Sequence, residues 1–255
     1  MTKIGLSLVL FNEPQSRYTL FIKNLKEKFK NHNVKILVFL NSKHNYKFPD
    51  DVLVFQSLKN IGYGKGHNHN YEWFKENGYK KVIISNTDLK INSSPEKFII
   101  NEEAALIGPL IKNEDGSNQK VTRALPTLAD KIKSFFFEYP YYLKESSSNI
   151  KMVPHISGCF FLVNVSVYNK LGFNWLFDPV FFMYEEDTDL CRRLYEKKLI
   201  LHDPSMIVTH NYEKGSSSSI KLLFIHLKSL IYYFNKWGVL DKQAIQSRKQ
   251  IINNE

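Results

Sequence analysis

The sequence is poor in the features that mark secreted or membrane-spanning chains. It has two cysteines in 255 residues, Cys159 and Cys191, far apart and each in an apolar or helical stretch. That excludes a disulfide-stapled scaffold and a thiolate metal cluster, and it reads as reduced core thiols in a cytosolic protein. Nowhere are there ~18 consecutive apolar residues, so no transmembrane helix is expected. The first apolar run, "IGLSLVLF" (4–11), is too short for a signal peptide and runs into Asn12, Glu13 and Pro14; it reads as a strand. Neither an internal repeat nor a nucleic-acid-binding motif is visible, and no glycine pattern matches a dinucleotide fingerprint or a phosphate loop.

What is present is core-forming mass and positive charge. Hydrophobic residues make up 43% and aromatics 14% of the chain, enough apolar surface to offset chain entropy and to exclude a disordered protein. The formal net charge of +10 suits an anionic partner such as phosphate, nucleic acid or acidic lipid and does not choose between them. The length suggests one α/β core, residues 1–214, with a basic and aromatic C-terminal helical extension, 215–255, joined at the connector "GSSSS" (215–219). Within the core, 1–110 reads as one half and 111–214 as the other.

Apolar β-rich runs at 4–11, 34–40, 51–57 and 80–86 alternate with helical patterns, the rhythm of βαβ units on a mostly parallel sheet. A first helix is expected over about Ser16 to Asn31 and a second over His67 to Asn77, ended by Gly78; Ser94-Pro95 supplies the start of a third. After Leu110 the rhythm breaks into "IKNEDGSNQKVTRALPT", with a turn at Asp115-Gly116, and then into "FFFEYPYYLKESSSN", expected to be a substrate-facing loop. "ISGCFFLV" (156–163) is another buried strand, and Ser166 to Gly172 a short helix.

Ligands of parallel α/β sheets bind beyond the carboxyl ends of the strands. "NTD" (86–88) sits at such an end, and its amide and carboxylate oxygens suit a hard divalent ion or serve as an ordinary turn. "NIGYGKGHNHN" (60–70) sets Gly62, Gly64 and Gly66 before a helix, where backbone can approach a ligand or simply turn. "FFMYEEDTDLCRR" (181–193) puts Glu185, Glu186, Asp187 and Asp189 in five positions against aromatic residues. A helix dipole accounts for one or two acids at a helix start. Four beside an apolar wall point to a carboxylate with a raised pKa, which a general base needs. His210 ends another apolar run, and Arg123 has the fork geometry for a diphosphate.

Taken in order, these pieces resemble the inverting family 2 glycosyltransferases with the GT-A fold, in particular the bacterial rhamnosyltransferase-like branch of O-antigen, lipopolysaccharide and capsule biosynthesis. The likeness runs from about Ile4 to Gly238 and includes "LVLFN", "NIGYGKGHN", "IISNTD", "IGPLIKNEDG", "SGCFFLV", "FDPVFFMYEEDTDLCRRL" and "VTH". It implies a nucleotide-diphosphate-sugar transferase sheet and a donor such as dTDP-rhamnose, a UDP-hexose or UDP-galactofuranose. Phe11, Asn12, Asn41, Asn60, Gly62, Gly66 and Asn68 would form the donor side with Asn86, Asp88 and Arg123. It further implies that Asp88 and His210 hold Mg2+ or Mn2+. Asp187, or its neighbour Glu186, would take the proton of an acceptor hydroxyl, with Glu185, Asp189 and Gly158 supporting the site. The expected acceptor is a glycan or a polyprenyl-diphosphate-linked sugar, with no nucleic acid partner and a homodimer as one assembly. Two departures stand out: Leu40 precedes Asn41 where the family often has Asp, and Asn86 replaces the first acid of the metal motif.

The C-terminal stretch "SIKLLFIHLKSLIYYFNKWG" (219–238) mixes large apolar residues with Lys221, Lys228 and Lys236. It suits either the interface of a cytoplasmic membrane, approached from the inner face, or an amphipathic helix packed on the core. Three other readings compete with a glycosyltransferase. A degenerate, donor-binding protein is disfavoured by the intact acids, a basic nucleic-acid or membrane binder by their clustering, and a nucleotidylyltransferase by "FNEPQSRY" after the first strand.

Overall fold

The computed structural model describes residues 3–42, 46–134, 136–138, 141–143, 149–211 and 220–253. In chain order the elements are β1 (Lys3–Leu10), α1 (Gln15–Lys28), β2 (Asn33–Leu40), β3 (Val52–Gln56), α2 (Tyr63–Glu76), β4 (Lys81–Ser85), β5 (Leu89–Ile91), α3 (Glu96–Ile100) and β6 (Leu106–Lys112). There follow α4 (Leu128–Ser134), β7 (Lys151–Met152), β8 (Phe160–Asn164), α5 (Val165–Asn169), α6 (Glu186–Tyr195), β9 (Ile200–His210), α7 (Ile220–Trp237) and α8 (Lys242–Asn253). Sheet order is β3-β2-β1-β4-β8-β6-β9-β5, with β7 paired to β9.

The first four strands are parallel, and their near-continuous apolar character follows from burial on both faces. Ile36, Val38 and Ile83 join Phe21 and Leu25 of α1 on one face, while Leu37, Val82 and Ile84 join Tyr71 and Phe74 of α2 on the other. Burial of each such side chain contributes roughly 1.5–3 kcal/mol. β8 runs antiparallel to both β4 and β6, while β9 is parallel to β6. That reversal places the start of β8 at the carboxyl end of β4, with Phe160 opposite Ser85.

Several expected boundaries move. Helix α2 begins at Tyr63, not His67, so of the three glycines only Gly62 precedes it. Gly66 lies within the helix because a Cβ there would press on Val9 and Phe39, so its bareness serves packing. Helix α3 has Pro95 at its N-cap and no side-chain cap from Ser94. The "GSSSS" connector lies outside the described residues.

The C-terminal helices pack onto the sheet domain. Ala244 and Ile251 of α8 enter the α2-side core, and Leu230, Tyr233 and Phe234 of α7 enclose Phe181. Asp189 pins α7 to α6: fully buried, its carboxylate lies 3.0 Å from Arg193 Nε, 2.8 Å from Lys236 Nζ and 2.8 Å from the Trp237 indole N–H. Asp189→Ala is expected to cost about 3–5 kcal/mol by removing the counter-charge of Arg193, whose side chain is only 7% exposed. Guanidinium denaturation should show a lower midpoint with an unchanged m-value, which reports stability and not compactness.

Candidate active site

A cavity of about 970 Å³ opens at the carboxyl ends of β1, β2 and β4. Val9 and Phe11 line it from the end of β1, Asn41 from β2, and Asn86 and Asp88 from the turn after β4. Since β8 starts at the same edge, Ser157, Gly158 and Cys159 join the wall, and Asn86 N–H donates to the Cys159 carbonyl at 2.8 Å. The opposite wall is the segment 182–188, with Arg123, Lys131 of α4 and the α7 residues Lys221, Leu222, Ile225 and His226.

The glycine turn is held by its asparagines. Asn41 donates to the Gly62 carbonyl at 3.0 Å and accepts from Ile61 N–H at 3.1 Å, while the Asn60 side chain accepts from Gly62 N–H at 2.9 Å. Gly62 has φ +96°, and a Cβ there would run into the Phe182 carbonyl oxygen, which accepts Tyr63 N–H at 2.9 Å. Only glycine permits that approach, so the turn and the acidic segment are docked backbone to backbone. Asn68 holds Phe177 through both its N–H (2.8 Å) and its carbonyl (2.6 Å) and does not reach the cavity wall. Asn12, at φ +56°, is exposed beside Phe11 and also lies outside the cavity lining.

The four acids sit in four different environments. Tyr184 and Glu185 both take left-handed backbone, φ +69° and +61°, immediately before α6. For non-glycine residues this costs of order 1–3 kcal/mol each, and such strain clusters at functional sites. Glu185 Oε1 receives Lys131 Nζ at 2.6 Å and His226 Nε2 at 3.2 Å. Burial opposes ionisation of Glu185, but Lys131, His226 and Arg123 outweigh it and hold the carboxyl well below its ordinary range. Glu186 is the reverse case: burial, then the charges of Asp187 and Glu185, push its pKa well above 4.5. Its Oε2 is buried without a hydrogen-bond partner.

Asp187 is the acid best placed to act on a bound molecule. Its Oδ2 accepts Gly158 N–H at 2.9 Å and its Oδ1 accepts Thr188 N–H at 2.7 Å, while its side chain keeps 23% exposure. A Cβ on residue 158 would press on Asp187, so Gly158 lets that N–H approach. His155 lies behind, with Nε2 3.9 Å from Asp187 Oδ2 and 3.5 Å from Arg123. Burial and then Arg123 lower the His155 pKa to about 3, so the contact with Asp187 is polar and not an ion pair. Asp189 faces away, into the α6–α7 junction.

Across the cavity, His210 Nε2 lies 3.4 Å from Asp88 Oδ2 and its Nδ1 is 2.9 Å from Gln119 Oε1. Burial disfavours the imidazolium, but hydrogen bonds with Asp88 and the Cys159 sulfur outweigh it and raise the His210 pKa to about 10. Among the described residues no three His, Cys, Asp or Glu side chains converge on one point. A divalent ion that keeps waters and takes substrate phosphate oxygens fits Asp88, whose buried Oδ1 has no hydrogen-bond partner; His210, held as the imidazolium, has no free lone pair for a metal and suits a phosphate oxygen instead, which corrects its expected role as a ligand.

The structure thus places most sequence-selected residues around one cavity, leaves Gly66, Asn68 and Asp189 in scaffolding and Asn12 outside the lining, and sets His210 behind Asp88. Lys131, His155 and His226 were not selected from the sequence. Each lies more than thirty positions from the acid it touches, so no local motif announces it.

No protein-family model matches the chain, and no curated protein matches it. Solved structures do share its fold. A mannosyltransferase from Pyrobaculum calidifontis, in complex with GDP-mannose and Mn2+, superposes with a TM-score of 0.57 at 11% identity, over 98% of this chain and 68% of its own. A mycobacterial protein superposes at 0.52 with 9% identity, over 94% and 76%. The catalytic domain of Drosophila β1,4-galactosyltransferase 7, in complex with xylobiose, reaches 0.48 at 10% identity, over 84% and 67%. The mixed α/β sheet flanked by helices is therefore a fold that a nucleotide-sugar glycosyltransferase uses, as the resemblance implied.

The raised pKa of Glu186 has a thermodynamic signature. Above pH 4.5 the unfolded chain releases this proton freely while the native state retains it, so the native state loses stability as pH rises toward the folded pKa. Glu186→Gln removes that loss. The variant should therefore gain more melting temperature over wild type at pH 8 than at pH 4.5; an equal difference at both would place the proton elsewhere.

Proposed function

We propose that the chain is an inverting glycosyltransferase that moves a sugar from a nucleotide-diphosphate donor to a hydroxyl of a glycan or lipid-linked acceptor. The observation that carries this reading is one cavity with two chemically distinct walls. One wall holds Asp88, backed by the buried and cationic His210 and suited to a metal-bound diphosphate; the other holds Asp187, fixed by two backbone N–H groups with its side chain partly open.

In this reading Arg123 stands on the Asp187 side of the cavity, while the diphosphate lies beside Asp88 and His210. The ion held there would supply charge stabilisation to the departing diphosphate. Asp187 accepts the proton of the acceptor hydroxyl as that oxygen forms its bond to the anomeric carbon. The bond from that carbon to the diphosphate oxygen breaks on the opposite face, and the electron pair leaves with the nucleoside diphosphate. Attack from the face opposite the leaving group inverts the centre.

Asp187 is favoured over Glu186 as the base because its carboxylate keeps 23% exposure and is aimed by two backbone N–H groups, whereas Glu186 is buried. Phe11 is half exposed at the cavity edge and offers a ring face to the nucleotide base. Support for a dTDP-rhamnose, UDP-hexose or UDP-galactofuranose donor, and for a role in bacterial surface polysaccharide, comes from the sequence resemblance.

Asp187→Asn should lower turnover by about 10²–10⁴-fold, the usual contribution of a general base, with only a modest fall in melting temperature because the amide leaves one of the two backbone N–H groups without its acceptor. Near wild-type turnover would remove Asp187 from the role. Donor binding is tested separately, by melting the protein with nucleoside diphosphates with and without Mn2+. At a hundredfold excess over Kd a ligand stabilises by about 2.7 kcal/mol. The Mn2+-dependent part of the shift should vanish in Asp88→Ala; its persistence there would place the ion at other residues.

A further inference from the structure

Helix α7 has two apolar faces, and the fold buries one. Leu230, Tyr233 and Phe234 close over Phe181, while Ile220, Leu223, Phe224, Leu227 and Ile231 form a second stripe at helical spacing. These five are between 39% and 76% exposed, with Ile220 the most open. Since the inward face is committed to Phe181 and to the Asp189 junction, the helix cannot roll to hide the outer one.

A neighbouring element repeats the pattern. Leu128 and Ile132 of α4 are exposed one turn apart, and Phe136 and Phe137 just beyond it are 78% and 74% exposed. The two elements meet at one atom, Glu185 Oε1, through Lys131 of α4 and His226 of α7, and both contribute to the cavity wall. Exposed apolar side chains are thus carried on both elements that flank the cavity mouth.

Charge identifies the occupant. Helix α7 contains no acidic residue, and Lys221 and Lys228 lie along one flank of its outer stripe, on a chain of net charge +10. Lysines with apolar stems beside a Leu, Ile and Phe ridge complement an anionic lipid surface, into which the ridge inserts while the ammonium groups meet headgroups. No helix among the described residues is long and apolar enough to cross a bilayer, so the geometry is one of lying in the interface.

We propose that the outer faces of α7 and α4 together form a docking surface for an anionic lipid bilayer, which sets the cavity mouth against the membrane. The docking stands on this surface alone. Its use, delivery of a hydroxyl acceptor that is itself anchored in lipid, rests on the glycosyl-transfer reading.

Flotation of the full chain with vesicles, without nucleotide sugar, tests the docking. Equimolar phosphatidylcholine and phosphatidylglycerol vesicles should carry the protein, and phosphatidylcholine vesicles should carry at least tenfold less. The double variant Leu223→Ser, Phe224→Ser should lose at least tenfold in binding while keeping the wild-type melting temperature, because both side chains are exposed. Phe136→Ser with Phe137→Ser should weaken binding as well. Full retention by the first pair, or no flotation of the wild type with anionic vesicles, would overturn the proposal; full retention by the second would overturn the part assigned to α4. A concentration-dependent dimer by light scattering, abolished by the α7 variant, would make the ridge a contact between copies and overturn it also. Nucleotide-dependent melting without vesicles checks the transferase reading independently, so failure of either is read apart from the other.

Discussion

The arrangement depends on how four neighbouring carboxylates are accommodated beside a wall of aromatic side chains. Left together in a low-dielectric setting they would repel one another and hold protons. The fold separates them. Glu185 turns through left-handed backbone to meet Lys131 and His226; Asp187 receives Gly158 and Thr188 N–H; Asp189 turns inward to Arg193, Lys236 and Trp237; Glu186 is left buried with its pKa raised. Because those partners come from α4, α7 and the loop before β8, dispersing the charge also assembles the cavity wall.

A second constraint joins the two sides of the cavity. The Phe182 carbonyl sits where a side chain at residue 62 would be, and it accepts the first free N–H of α2. Asn41 and Asn60 then fix the turn that presents Gly62, at the edge of the parallel sheet. Backbone contacts of this kind leave little play, which suits a site where a base and a leaving group must face one another at fixed separation.

Much of this architecture was legible in the sequence. The runs at 4–11, 34–40, 51–57 and 80–86 became β1, β2, β3 and β4, because strands buried on both faces must be continuously apolar. The antiparallel β8 was read as a buried strand, but its direction was invisible: periodicity carries no sign. Asp88 with His210, and Asp187 with Gly158, could be placed at strand and helix ends and do line up across one cavity. The asparagines were harder, because an Asn that braces a turn and an Asn that binds a ligand look alike in sequence; Asn68 proves to be committed to Phe177. Lys131, His155 and His226 escaped altogether, since each acquires its role only when distant segments meet.

The distribution of cost follows from the same geometry. Two left-handed residues, an unpaired Glu186 oxygen and an orphaned Asp88 oxygen all face one cavity, and each is unfavourable by itself. They persist because the surroundings are over-determined: Asp189 ties α6 to α7, and Arg192 pairs with Asp241 at the start of α8. A surface with no chemistry to perform would have lost those liabilities at no cost, since most substitutions there would relieve strain. Those at this opening, with rigid ion pairs placed behind them, match what a strained functional site on a supporting scaffold requires.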